Sequence, residues 1–117
     1  MKKMTALLLA VLMVLSMAAC ASKPAEESDL AYIQDKGTLV VGITDFAPMD
    51  YQNESGEWIG FDADLAKAFA DSLGVKVEFV EIVWDNKVLE LDSKTIDCVW
   101  NGMTLTSEVT SAMACSN

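Results

Sequence analysis

The chain predicts an α/β domain, a parallel sheet held between helices in three layers. Three observations carry this. Residues 38–43 read Thr-Leu-Val-Val-Gly-Ile, a near-continuous apolar run of the kind a strand needs when a parallel sheet buries both its faces. Strand-like and helix-like segments then alternate three times, and alternation at this spacing implies right-handed crossovers between parallel strands. Turn residues, Gly37, Gly60 and Gly74 among them, stand at the joints, where one element gives way to the next.

A first helix covers residues 28–36, with Ser28 as N-cap and Gly37 as its stop. The apolar strand 38–43 follows. Residues 46–57 form a loop or hairpin, punctuated by Pro48 and by Glu54-Ser55-Gly56-Glu57. Trp58 reads as a surface cover in that loop. Asp62 caps the second helix, in which Leu65, Ala66, Phe69 and Leu73 share one face, and Gly74 ends it. Asp62 and Asp64 stand two apart at this helix start, so an N-cap and an acid complementing the helix dipole explain them better than a catalytic or metal-binding pair.

Residues 75–82 set Val75, Val77 and Phe79 against Lys76, Glu78 and Glu81, the alternation of a strand. Asp85 caps a third helix carrying Val88, Leu89 and Leu91. Ser93-Lys94 turns the chain into a strand over residues 95–101, where Trp100 is a core residue. Thr106 caps a last helix reaching Met113, with Glu108 in its first turn.

The ends read differently. Residues 1–19 form a targeting segment: Lys2 and Lys3 open it, and residues 5–17 are apolar apart from Thr5 and Ser16, too short a run to span a membrane comfortably. Met17-Ala18-Ala19-Cys20 looks like a bacterial lipobox, so cleavage falls before Cys20, which then carries lipid. A diacylglycerol thioether plus an acyl chain supplies the two anchors that stable membrane attachment needs. An ordinary signal peptide with an incidental cysteine is the plainer alternative. Residues 20–29 are small, polar and acidic, a flexible tether. Loss of the first 19 of 117 residues leaves 98, enough for one small domain over residues 30–117.

After that cleavage six lysines face 18 acids, with no arginine or histidine, for a net charge of −12. Such a surface repels nucleic acid and anionic headgroups. The missing histidine excludes histidine acid–base catalysis and most transition-metal sites. Cys98 and Cys115 remain; they either pair outside the cytoplasm or, for Cys98, form a buried free thiol. Neither lies in a CxxC spacing, so no zinc site is expected, and no cofactor.

In a parallel sheet, ligands sit beyond the carboxyl ends of the strands. Those ends place residues 44–48, 83–85 and 101–106 around one site. Four segments in order, Gly42-Ile43-Thr44-Asp45-Phe46-Ala47-Pro48, Gly60-Phe61-Asp62-Ala63-Asp64-Leu65-Ala66-Lys67-Ala68, Trp84-Asp85-Asn86-Lys87 and Ile96-Asp97-Cys98-Val99-Trp100-Asn101-Gly102-Met103-Thr104-Leu105-Thr106, resemble the first lobe of family 3 extracellular solute-binding proteins. These are the amino-acid-binding components of ABC importers. The resemblance runs from about residue 30 to 117.

The resemblance implies a periplasmic-binding-protein type II fold, here an incomplete first lobe, because the family has two lobes and more than twice this length. It implies a small polar solute, in most cases an amino acid, passed to an ABC permease by a protein held outside the membrane. Phe46 matches the aromatic that stacks on the ligand, and Trp84 matches a pocket wall. Gly102 and Thr104 match positions that hold the ligand's ammonium and carboxylate. Asp45 either faces the ammonium or caps its loop. The family usually has an arginine where this chain has Val109, and a lysine would not replace a bidentate clamp. The carboxylate contact then rests on hydroxyls and the helix start at residues 106–108. Half a site of this kind is expected to bind no amino acid usefully by itself.

Two other readings share the architecture. One is an enzyme like cyclohexadienyl dehydratase, for which no acid–base residue stands out, so no catalytic activity is expected. The other is the sensor lobe of a membrane receptor.

Overall fold

The computed structural model describes residues 28–116. The targeting segment, the lipidation residue Cys20 and nearly all of the tether lie outside the described residues.

Helix α1 spans Asp29–Lys36. Ser28 Oγ accepts the Ala31 amide at 3.4 Å, and Gly37 closes the helix at φ 75°. Strand β1, Thr38–Ile43, occupies the centre of a three-stranded sheet. It pairs in parallel with β4, Lys76–Glu81, on one side and β5, Cys98–Val99, on the other. Between β1 and β4 come a small antiparallel hairpin, β2 (Tyr51–Gln52) and β3 (Trp58–Ile59), and helix α2, Phe61–Ser72. A 3-10 turn, Trp84–Asn86, leads into α3, Lys87–Asp92, and α4 is Ser107–Ala112. All three sheet strands are parallel, as the alternation of elements predicts.

Leu39, Val41 and Ile43 turn to one face of the sheet. Leu39 and Val41 pack with Ala66 and Ala70 of α2 and with Val75. Ile43 packs with Trp58 and Ala63. Burying each of these large side chains stabilises the fold by roughly 1.5–3 kcal/mol. On the opposite face Gly42 leaves room for Ile82 and Ile96, since a Cβ there would stand 2.6 Å from the Ile96 Cδ1. Asp97 locks the sheet to α1. Its carboxylate accepts the Lys36 ammonium at 2.6 Å and the Val40 amide at 2.7 Å.

Five expectations change. The face α2 buries is Ala63, Ala66 and Ala70, while Leu65 and Phe69 stay largely exposed. Small side chains let the helix settle close on the sheet, and the bulkier residues are turned outward. Asp62 is not the cap. Gly60 holds that position at φ 114° with no side-chain bond, and Asp62 sits inside the first turn, its amide donating to Met49 O at 3.0 Å. Trp58 is no surface cover; it is 8% exposed because the hairpin folds over Ile43 and Ala63. Asp85 lies within the 3-10 turn and caps nothing. The last strand is two residues rather than seven, because Thr95 and Ile96 donate their amides back to Glu90 O and the Asn101 side chain is drawn to Thr44.

Candidate functional site

Parallel strands bring their carboxyl ends to one edge of the sheet, and the loops leaving β1, β4 and β5 therefore meet there. A side-chain exchange ties the first loop to the third. Asn101 Nδ2 donates to Thr44 Oγ1 at 2.6 Å, and the Thr44 amide donates to Asn101 Oδ1 at 3.3 Å. The pair is partly buried, so each bond is worth about 1 kcal/mol and leaving either group unpaired would be worse.

Held this way, the Phe46 ring lies over Gly102. A Cβ on Gly102 would stand 3.2 Å from the Phe46 Cε1, so glycine is the residue that lets the ring settle there. Phe46 is nevertheless 53% exposed, an aromatic face offered to solvent on a loop. Its backbone is fixed from the other side, where the Phe46 amide donates to Asp50 O at 2.6 Å and the Asp50 amide donates back to Phe46 O at 3.0 Å. Asp45 and Thr104 are exposed on the same two loops.

Trp84 is half-buried at the end of β4. The Lys87 ammonium stands 4.6 Å from its ring centroid and also donates to Trp84 O at 3.3 Å, so one tryptophan face is already taken by a cation. Of the five candidate residues, the structure packs Phe46 against Gly102, sets Asp45 and Thr104 beside them in sequence, and places Trp84 on the remaining loop.

The helix start expected to hold a carboxylate offers little. Helix α4 is six residues long, and the Thr106 Oγ1 is already accepting the Val109 amide at 3.3 Å. Thr104 and Thr106 are both exposed on this loop, and with Thr106 Oγ1 occupied by the Val109 amide the Thr104 hydroxyl is the one left to a ligand.

Two further residues matter. Asn101 ends the strand expected over residues 95–101, and an asparagine at the end of an apolar strand is a reasonable signal for a side-chain tie. Asp50 is fully buried, and neither carboxyl oxygen makes a hydrogen bond among the described residues. Its pKa is pushed up to about 6, chiefly by burial and then by the Asp62 charge, with the Ala63 amide pulling the other way. That amide stabilises the anion without reaching a full hydrogen bond. Nothing in a single sequence distinguishes this aspartate from a solvated loop acid.

The remaining chemistry is quiet. Cys98 and Cys115 are both unpaired. Burial and the Asp97 charge push the Cys98 thiol up to about 11, so it carries almost no thiolate at neutral pH and is a poor nucleophile. Among the described residues no three potential metal ligands cluster, and no helix is long and apolar enough to cross a membrane. An open groove of about 890 Å³ runs along β5, lined by Phe69, Trp100, Leu105 and Met113 among others, on the flank of the sheet and not over Phe46.

Residues 39–117 match the bacterial extracellular solute-binding proteins, family 3. The chain is 35% identical over 85 residues to the L-cystine-binding protein TcyJ of Escherichia coli K12, covering 72% of this chain and 32% of that protein. It is 36% identical over 95 residues to the cyclohexadienyl dehydratase of Pseudomonas aeruginosa, covering 80% and 35%. The chain thus spans about a third of the length of these curated relatives. Among solved structures, the arginine-bound form of domain 1 of TmArgBP, the T. maritima ArgBP, is 40% identical with a TM-score of 0.64, covering 68% of this chain and 64% of that domain.

Proposed function

Because the chain belongs to the bacterial extracellular solute-binding proteins, family 3, we propose that it binds a small polar solute, an amino acid, at the loops beyond β1, β4 and β5. The observation that carries this is the Thr44–Asn101 tie, which fixes an exposed Phe46 ring against Gly102 at the carboxyl edge of the sheet. A rigid aromatic face beside backbone amides and the Thr104 hydroxyl suits a zwitterion: the ring takes the side chain, and neutral dipoles take the charged ends. Asp45 supplies the ammonium's counter-charge, and Trp84 walls the far side. These 117 residues hold no arginine, so the grip these loops have on the carboxylate is by single hydrogen bonds.

In the cell, the ligand is handed to an ABC permease, and Cys20 carries the lipid that keeps the protein on the outer side of the membrane. The arginine-bound T. maritima structure is of a single domain, which supports a site built on one lobe; this chain covers 64% of that domain. The dehydratase relative gives a second reading some support. It would need an acid–base group at the site; Asp45 and Asp85 are both exposed carboxylates on these loops, and Asp45 is the one beside Phe46.

Calorimetric titration of the 117-residue chain with the common L-amino acids tests the proposal. Phe46→Ala or Trp84→Ala should weaken binding by about 1–3 kcal/mol, the worth of an aromatic side chain's buried face. Unchanged affinity in both variants, with folding intact, would put the pocket elsewhere. Turnover of a cyclic prephenate-like acid that Asp45→Asn abolishes would establish the dehydratase reading instead.

A further inference from the structure

The buried Asp50 carboxyl has no role in the site as described, yet it stands where the ligand loop meets α2. One contact closes the loop on itself and two join it to the helix. The Phe46 and Asp50 backbones bond reciprocally. Met49 O accepts the amide of Asp62 in the helix's first turn at 3.0 Å. Gly60, which starts the helix, lets the loop approach so closely that a Cβ there would fall 2.7 Å from Pro48 O and nearer still to Met49 O. Asp50 is enclosed by this junction, with both carboxyl oxygens lacking a hydrogen bond. An uncompensated buried carboxylate is expensive, and the usual escape is to take up a proton.

We propose that Asp50 is a positioning residue: its carboxyl sets how firmly the Phe46 loop is held to the first turn of α2, so the loop follows the protonation of that carboxyl. The neutral form suits the closed junction. The ionised form is repelled by Asp62 and is desolvated, and opening of the loop relieves both. The charges on neighbouring elements do not cancel it. Asp62 in α2 is the like charge acting on it. Asp64 stands 3.8 Å from Lys67, and Lys67 itself is taken up by Glu57 at 3.3 Å and by Trp58 O at 2.8 Å. Asp45, on the loop itself, is exposed, and β2 and β3 carry no ionised side chain. The group's pKa of about 6 places the change in a window that mild acidification crosses.

This inference rests on the reading that Phe46 touches the ligand, but part of its test does not. In the ligand-free 117-residue chain, the amide resonances of Phe46 and Gly102 are followed by NMR from pH 4.5 to 8. Both should move along one titration curve with a midpoint near 6. Asp50→Asn should abolish the curve, and Asp62→Asn should shift its midpoint downward. The same curve in Asp50→Asn, or no curve in the parent chain, overturns the proposal whether or not the protein binds anything. In a second arm, L-arginine affinity is measured at pH 5 and pH 8. The parent chain should bind more weakly at pH 8, by at most about 100-fold for a shift of two pKa units, and Asp50→Asn should bind equally at both. If L-arginine does not bind while the amides titrate as stated, the amino-acid reading is what fails.

Discussion

Replacing Gly60 with alanine tests how tightly the ligand loop is joined to α2. Gly60 holds φ 114° and ψ 175°, a backbone region that is essentially glycine's alone. Occupying it with a side chain costs on the order of 1–3 kcal/mol. The new Cβ would also press on two backbone carbonyls, most closely on Met49 O and then on Pro48 O at 2.7 Å, and a backbone cannot swing aside as a side-chain tip can. The loop must retreat, and the Asp62–Met49 hydrogen bond goes with it, worth about 1 kcal/mol more. Together these come to roughly 2–4 kcal/mol, with the carbonyl clash to be added, a large part of the 5–15 kcal/mol by which a domain is usually stable. Gly56 is the control. It too has a positive φ, 80°, but a Cβ there meets nothing within 4 Å, so Gly56→Ala should cost only about 1 kcal/mol. Urea unfolding followed by tryptophan fluorescence reads both variants. If Gly60→Ala falls within 1 kcal/mol of Gly56→Ala, the loop is not clamped against the helix, and the reasoning about this junction fails.

Asp50 also makes a prediction for stability. Its native pKa of about 6 lies above the 3.8 of an ordinary aspartate, so between those values the native state holds more of the proton than the unfolded state does. Stability contributed by this group is therefore full below about pH 4 and falls as pH rises to about 6, by roughly 1–3 kcal/mol. Asp50→Asn should unfold at higher urea than the parent at pH 7 and flatten that slope; a parallel pH profile in the variant contradicts the assignment. The Cys98 thiol, pushed up to about 11, should react with iodoacetamide at pH 8 at least about tenfold more slowly than a small free thiol, and equal rates would mean that it is not buried. In a bacterial host, the precursor should incorporate labelled palmitate and Cys20→Ala should not, whereas equal labelling of the two would leave Cys20 an incidental cysteine.

The sequence made the framework legible because its signals are local. Ser28 and Gly37 bound α1 through their own backbone and side-chain preferences, Thr106 caps α4 for the same reason, and the run over residues 38–43 needs two covered faces wherever it sits. Trp58 and the buried face of α2 were misjudged for a common cause. Which side of an amphipathic segment turns inward depends on what approaches it, and a hairpin arriving over Ile43 is not written in the residues near Trp58. Ala66 does lie on the apolar face the spacing marks, but Ala63 and Ala70 carry too little hydrophobicity to stand out beside Leu65 and Phe69, and a helix close to a sheet selects for smallness. At the site, the loops were legible from topology, and Phe46 and Gly102 do lie together. The partnership of Thr44 with Asn101 spans 57 residues, and the isolation of Asp50 depends on a hairpin and a helix meeting over it; neither has a signature in a single sequence.

The central strand comes early in the chain and its neighbours come late. Thr38 aligns with Lys76, and Val41 aligns with Cys98, so β1 leaves the ribosome with both hydrogen-bonding edges empty. At 5–20 residues per second, the segment that closes its second edge follows about 3–11 seconds later. During that interval an apolar run that prefers extended backbone is exposed to any other strand, and long-range pairing of this sort is slow to form even once the partners exist. The nascent chain is therefore most vulnerable to aggregation before Cys98 has emerged, and a holdase that shields residues 38–43 over those seconds would raise its yield more than a gain in final stability would.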